Sequence, residues 1–263
     1  MVNMFKRLIS LFVLAVSVLT QGVLDASAQD ARTSIQNALG RLVPNRQLPV
    51  DLTLTGQLTD AAGVVQPFRF TMKGKDRVRF ESGTGAALVT TTQSRGAGWT
   101  ESGGKVRLLP SYSAIRRPGV VPFFDLLSEA DTPNLQITDK GTFSIGGVVT
   151  RRFSLKLPDP TPDIRMFRRA LDEEIDIYID VTTQLVVRSE SWMRADNNPD
   201  ARLQTVWEFG DYRTISGLAI PFVIRYTLLT PGQKPPQRLY TVTEVSINSG
   251  VSDSTFIAEE RAR

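Results

Sequence analysis

From Leu52 onward the apolar residues recur with a period of two, and this alternation constrains the fold more than any other property of the chain. Leu52, Leu54, Gly56 and Leu58 alternate with Thr53, Thr55 and Gln57, and Asp60-Ala61-Ala62-Gly63 supplies a turn. Phe68, Phe70 and Met72 then face one way, with Arg69, Thr71 and Lys73 opposite, before Gly74-Lys75-Asp76 turns the chain into Val78 and Phe80. Successive side chains of a strand point to opposite faces, so the pattern specifies half-buried strands. The same grammar predicts short strands over 86–92, 97–101 and 105–109, and over 142–157 with a break at Gly146-Gly147. Further strands fall at 175–181, 185–194, 203–212, 219–229 and 237–247. Ten to twelve strands with closely spaced turn signals predict an antiparallel sheet rather than βαβ units. Twist accumulates across so wide a sheet and curls it, so we expect a mainly β fold: one large curled sheet with a few helices on one face.

Two segments depart from the alternation. In residues 31–43 the apolar positions Ile35, Leu39, Leu42 and Val43 form one helical stripe, which Pro44 ends. Between Pro118 and Pro133, Val120, Val121, Phe123, Phe124, Leu126 and Leu127 make a dense apolar run, best read as a short helix. A proline-rich loop follows at Pro158, Pro160 and Pro162, with a helical turn expected over 163–172.

The first 28 residues read as a secretory signal peptide. Lys6 and Arg7 are followed by the apolar run Leu8 to Leu19 and by Ala26-Ser27-Ala28, small residues suited to cleavage. A bilayer span needs ~20 apolar residues, which disfavours the rival reading as an uncleaved anchor. We therefore expect a periplasmic protein whose mature chain starts at Gln29, with residues 29–263 as a single domain.

Cysteine and histidine are both absent. The first zero excludes disulfides and a lipidated N-terminal cysteine; the second excludes a Ser-His-Asp triad and histidine-held zinc or haem. We expect no enzyme, no cofactor and no metal. Of the carboxylates, Asp172-Glu173-Glu174-Asp176 is the densest group, but it lacks EF-hand spacing. Glu174 and Asp176 alternate with Ile175 and Ile177, which predicts a solvated outer strand face. The net charge of +4 is scattered over Arg116-Arg117, Arg151-Arg152 and Arg165 to Arg169. Its low density predicts no nucleic-acid partner. Solvated basic faces, or weak attraction to anionic head groups, account for it.

The tail of the chain resembles a known superfamily. Trp207-Glu208-Phe209-Gly210-Asp211-Tyr212-Arg213 runs through Ile215-Ser216-Gly217-Leu218-Ala219-Ile220-Pro221 into a long strand. Tyr240 to Ile247 then leads to Asn248, and Asp253-Ser254-Thr255-Phe256 closes the unit. This order, with the strand pair Glu174 to Arg188 before it, resembles the LolA/LolB-like periplasmic lipoprotein carriers. The resemblance covers about Asp172 to Phe256, and the first half matches only in rhythm. It implies an unclosed antiparallel half-barrel with helices across its concave face, holding a lipid or the acyl chains of a lipidated protein. It also implies a buried arginine that latches a lid, which no single position here matches.

Apolar cavities stay dry and accept apolar ligands, and a curled sheet leaves room that its own side chains need not fill. The candidate cavity wall is Phe68, Phe70, Met72, Phe80, Phe209, Phe222 and Ile224; the candidate lid is Phe123, Phe124, Leu126 and Leu127. Trp99, Trp192 and Trp207 stay open between wall, rim and core. Expected partners are a lipid or lipidated protein, with transient contact to a membrane surface or an envelope protein. A sensing or protein-interaction module on the same fold is the alternative. A carboxylate-dependent hydrolase fits less well, and an outer-membrane barrel is disfavoured because strand faces carry charges without a continuous lipid-facing band.

Overall fold

The computed structural model describes residues 30–44, 47–74, 76–109, 135–156, 174–195, 198–230, 232 and 235–257. Residues 30–42 form helix α1. Thirteen strands follow: β1 Asp51–Thr59, β2 Val65–Lys73, β3 Arg77–Ser82, β4 Val89–Ser94, β5 Ala97–Ser102, β6 Lys105–Leu108 and β7 Gln136–Ile145, then β8 Val148–Lys156, β9 Glu174–Asp180, β10 Val186–Ala195, β11 Asn198–Ile215, β12 Leu218–Leu229 and β13 Gln237–Ile247. They make one sheet in the order β6-β5-β4-β3-β2-β1-β13-β12-β11-β10-β9-β8-β7, and every pairing is antiparallel.

The order has a simple reading. Each strand lies beside its neighbours in the chain, and the first and last strands pair in the middle. The one break falls between β6 and β7, which form the two edges. The architecture is an up-and-down ring of strands left open at one place, the unclosed half-barrel. Four hairpins turn on two residues, Arg95-Gly96, Gly103-Gly104, Gly146-Gly147 and Ser216-Gly217, all with positive φ. Such turns match the twist of the strands they join.

Several boundaries differ from the sequence expectation, among them β11, which runs from Asn198 to Ile215 rather than over 203–212. Strand β7 begins at Gln136, not near 142, because an irregular register between Asp139 and Thr142 breaks the alternation there. The expected strand at 86–92 starts later, since Gly85–Ala87 forms a 3₁₀ turn before β4. The helical turn at 163–172 and the apolar segment 118–130 lie outside the described residues.

The two faces have different chemistry. On one, Ala31, Ile35, Ala38, Leu39 and Leu42 of α1 are buried against Leu52, Leu54, Phe70, Phe153, Ile177 and Ile220. Their i, i+4, i+7 and i+8 spacing gives the helix a single apolar stripe. We call this the inner face. Arg151 ties the helix down by reaching Asp139 of β7 and, at 2.8 Å, Asp30 of α1. Arg32 adds a hydrogen bond to the Leu135 carbonyl at 3.1 Å.

The outer face is held by charge. Arg152 pairs with Asp176, Arg188 with Glu190 at 2.6 Å, and Glu208 with both Arg188 at 3.4 Å and Arg225 at 3.3 Å. These pairs step across β8 to β12. Asp176 therefore corrects the expectation of a solvated carboxylate: it is only 4% exposed. Arg152 of the flanking strand β8 pairs with it, and Tyr178, two residues along β9 on the same face, lies opposite Arg152. Asp172 and Glu173 lie outside the described residues.

Elsewhere the outer face is covered by the chain's own tail. After β13 the Asp51 carboxylate accepts from the Ser249, Gly250 and Val251 backbone N–H groups at 2.8, 3.0 and 3.2 Å. Lys73 donates to the Val251 carbonyl at 2.6 Å, and Arg77 reaches Asp253 at 2.7 Å. Phe256 ends the crossing as a buried side chain over β3 and β4.

Candidate functional site

The inner face carries one feature beyond ordinary packing, a row of aromatic rings running across the sheet. Phe80 of β3 stacks on Phe68 of β2 at 6.2 Å between centroids. Phe68 meets Tyr240 of β13 edge-on at 5.3 Å, and Phe80 lies 6.0 Å from the same tyrosine. Trp207 of β11 continues the row, 6.2 Å from Tyr240 and 4.5 Å from Tyr226 of β12.

The row crosses strand β1 at Gly56. Strand β1 separates β2 from β13, and neighbouring strands lie ~4.8 Å apart, so side chains two strands apart seldom touch. In register, Gly56 stands opposite Phe68 on one side and Val242 on the other. With no side chain at that position, the Phe68 and Tyr240 rings lean over β1 and meet. The register of β1 on β13 also shifts by one residue between Thr55 and Gly56. A bulge of this kind bends its strand, and this one sits at the middle of the sheet.

Phe68 and Tyr240 are buried, but Phe80, Trp207 and Tyr226 are only partly so. The row thus has an accessible flank. Pairwise aromatic contacts add about 0.5–1.5 kcal/mol each beyond burial, so the row is a stiff surface rather than a loose one. Burial pushes the Tyr240 hydroxyl above its ordinary range, and the charge of nearby Arg238 pulls partly the other way. Tyr212, packed against the core, donates its hydroxyl to the Val186 carbonyl at 2.6 Å, and burial holds that phenol neutral well above its usual range.

All seven candidate wall residues fall on this face. Phe68, Phe70, Met72, Phe209, Phe222 and Ile224 belong to the same buried cluster as α1, and Phe80 packs against its margin. The Arg213 guanidinium covers the Phe222 ring at 4.1 Å. The candidate lid, Phe123, Phe124, Leu126 and Leu127, lies outside the described residues. The tryptophans separate: Trp207 is in the row, Trp99 is buried on the opposite face, and Trp192 is 43% exposed there. Sequence reasoning missed Tyr226 and Tyr240. The alternation Tyr240, Val242 pointed to an inward Tyr240, which the candidate wall did not include.

Among the described residues no group of three or more acidic side chains is placed to hold a metal ion. No described helix is long and apolar enough to cross a membrane.

No family model matches the sequence, and no curated protein matches it. Solved structures do. A domain from Vibrio parahaemolyticus described as an outer membrane lipoprotein-sorting protein superposes with TM-score 0.56 at 10% identity, over 87% of this chain and 97% of that one. A DUF1329 family protein from Desulfovibrio piger gives 0.57 at 12% identity, over 88% and 98%. A LolA superfamily protein from Nitrosomonas europaea gives 0.52 at 11% identity, over 88% and 97%. The fold is LolA-like.

Proposed function

We propose that this protein is a cell-envelope carrier or binding protein for acylated cargo, a lipid or the lipid anchor of a protein, held on the inner face of the open sheet. The observation that carries the reading is the aromatic row, a rigid apolar strip whose Phe80, Trp207 and Tyr226 are left partly uncovered on the face that α1 only partly roofs. The LolA-like fold supports it, since the solved proteins sharing that fold include a lipoprotein-sorting domain. The signal-like residues 1–28 support a periplasmic location.

The physics is favourable without any reacting group. An acyl chain gains ~0.8 kcal/mol per methylene removed from water, so a chain of about sixteen carbons supplies on the order of 10 kcal/mol before ordering costs. The rings draw together over the sheet, with Phe80 and Trp207 lying 6.0 and 6.2 Å from Tyr240 between them, so the row lines part of such a chain. In this reading Phe68 and Phe80 contact the cargo, while Phe70, Met72, Phe209, Phe222 and Ile224 back them. Phe123, Phe124, Leu126 and Leu127 close over it.

The test is native mass spectrometry of protein purified from its envelope fraction, together with titration by a fluorescent fatty acid. Co-purified acyl mass and saturable probe binding are expected, with binding lost in Trp207→Asp. Protein that carries no acyl mass and binds no probe refutes the proposal. Unaltered binding in the Phe123→Asp/Phe124→Asp double variant removes the lid from it.

A further inference from the structure

We infer that the aromatic row ends in its own head-group subsite, formed by Arg238, Tyr240 and Tyr226, and that the preferred cargo is an amphiphile with an anionic head. The inference rests on the acyl-binding reading above and adds a specificity to it.

Along β13 the inner face reads Val242, Tyr240, Arg238: apolar in the middle of the sheet, amphipathic next, cationic where the strand begins. The β12–β13 register sets Tyr226 opposite Arg238 and Ile224 opposite Tyr240. Arg238 therefore stands beside the two tyrosines of the row, and Tyr226 is the ring that packs on Trp207. The Tyr240 ring is buried, while Arg238, two residues before it on the same strand face, is exposed. This is a polar outlet at the end of an apolar track.

No described carboxylate forms an ion pair at that outlet. Arg151, Arg152 and Arg188 each face a carboxylate, whereas Arg238 has no ion pair among the described residues. Its nearest cationic neighbour on β12, Arg225, pairs in register with Leu239, so it belongs to the other face, where it reaches Glu208 at 3.3 Å. A guanidinium flanked by two phenols offers planar paired donors and further hydroxyl donors, the set that a carboxylate or phosphate oxygen pair takes up best. A neutral head group would leave the guanidinium unused. Fatty-acid carboxylates and phospholipid phosphates share this chemistry: one anionic head on an alkyl chain.

Three ligands of equal chain length separate the outcomes: hexadecanoate, hexadecyl phosphate and hexadecanol, each displacing a fluorescent acyl probe from the whole mature protein. The wild type is expected to bind the better anion about tenfold more tightly than the alcohol, the gap expected for one charge-assisted hydrogen bond at a partly solvated site. Arg238→Gln should collapse that gap, Arg238→Lys should restore part of it, and Tyr240→Phe should narrow it. A thermal melt of each variant confirms the fold. Preference for hexadecanoate assigns the site to free fatty acids, and preference for hexadecyl phosphate assigns it to phospholipid-type heads. Equal binding of all three by the wild type, or a gap that survives Arg238→Gln, overturns the subsite and leaves acyl binding standing. Failure of all three to displace the probe overturns the acyl-binding reading and the subsite together.

Discussion

Replacing Gly56 by alanine tests the proposed role of the β1–β13 seam. A methyl carbon at that position would lie 2.0 Å from the Thr241 carbonyl oxygen and 2.9 Å from both the Thr241 carbonyl carbon and Val242 Cα. All three are backbone atoms, and nine in ten real contacts of this kind are wider than 3.4 Å. No rotamer can relieve the clash, so β13 must retreat by more than an ångström or the bulge must unwind. Overpacking costs about 1–3 kcal/mol, and displacing a pair of ladder hydrogen bonds adds about 1 kcal/mol each, so the lower end of the expected loss is about 3 kcal/mol. For a protein of this size each kcal/mol moves the midpoint by about 2–4 °C, so at that lower end Gly56→Ala should lower Tm by roughly 6–12 °C. The control is Gly210→Ala, where an added methyl meets nothing within 4 Å, and its Tm should stay within about 2 °C of wild type. Thermal melts by circular dichroism measure both. A Gly56→Ala protein that melts with the wild type refutes the close approach, and with it the explanation of how Phe68 and Tyr240 meet.

The Asp51 carboxyl is pushed up by burial but held lower overall by hydrogen bonds from Ser249, Val251 and Gly250, so its net displacement is downward. A depressed carboxyl contributes stability above its unfolded value, near pH 3.9, and that contribution is lost as pH falls through the folded value. Urea melts should therefore weaken below about pH 4, and Asp51→Asn should flatten part of that slope; an identical slope in the variant would show that the tail clasp does not titrate. Asp176→Ala strands Arg152, which is 29% exposed and can partly rehydrate, so a loss of about 2 kcal/mol is expected, below the range for fully buried pairs. Asp211→Ala, which breaks an exposed pair with Arg213, should cost under ~1 kcal/mol, and equal losses for the two would dismiss the outer-face ladder as surface decoration. Phe70→Ala should cost about 3–5 kcal/mol in chemical denaturation, because the ring is fully enclosed, while partly buried Phe80→Ala should cost less and act more on probe affinity.

The sheet was legible because its signal is local. Alternation at Leu52 to Leu58 and at Phe68 to Met72, with glycine pairs at the turns, needs no distant information, and the observed inner face carries those residues. The start of β7 was hidden for an equally local reason: the irregularity between Asp139 and Thr142 shifts the phase of the pattern. What could not be read was anything that depends on pairing β1 with β13, nearly two hundred residues apart. The Phe68–Tyr240 contact, the Asp51 clasp on Ser249 to Val251 and the role of Gly56 all follow from that pairing. The burial of Asp176 was missed for a related reason. A carboxylate alternating with isoleucines reads as solvent-facing until β8, which supplies Arg152, and β10, which sets Glu190 opposite, are placed beside it.

The opening between β6 and β7 is protected by its own chemistry. Two exposed strand edges in one sheet invite closure, or pairing with a second chain, unless something blocks the ladder. Here β6 is only four residues long and presents Lys105 and Arg107, both exposed. Strand β7 carries its irregularity within the edge itself, beside Gly141 at φ 89°, so a partner could not follow its register past that point. Short, charged and bulged edges are the means by which sheets resist further pairing. With twelve antiparallel pairings the two end strands of the described sheet run the same way, so a direct β6–β7 pair would have to be parallel, a further obstacle to closure. An open ring is the form in which an inner apolar row can remain reachable by cargo, whereas a closed barrel of the same strands would admit it only through its ends.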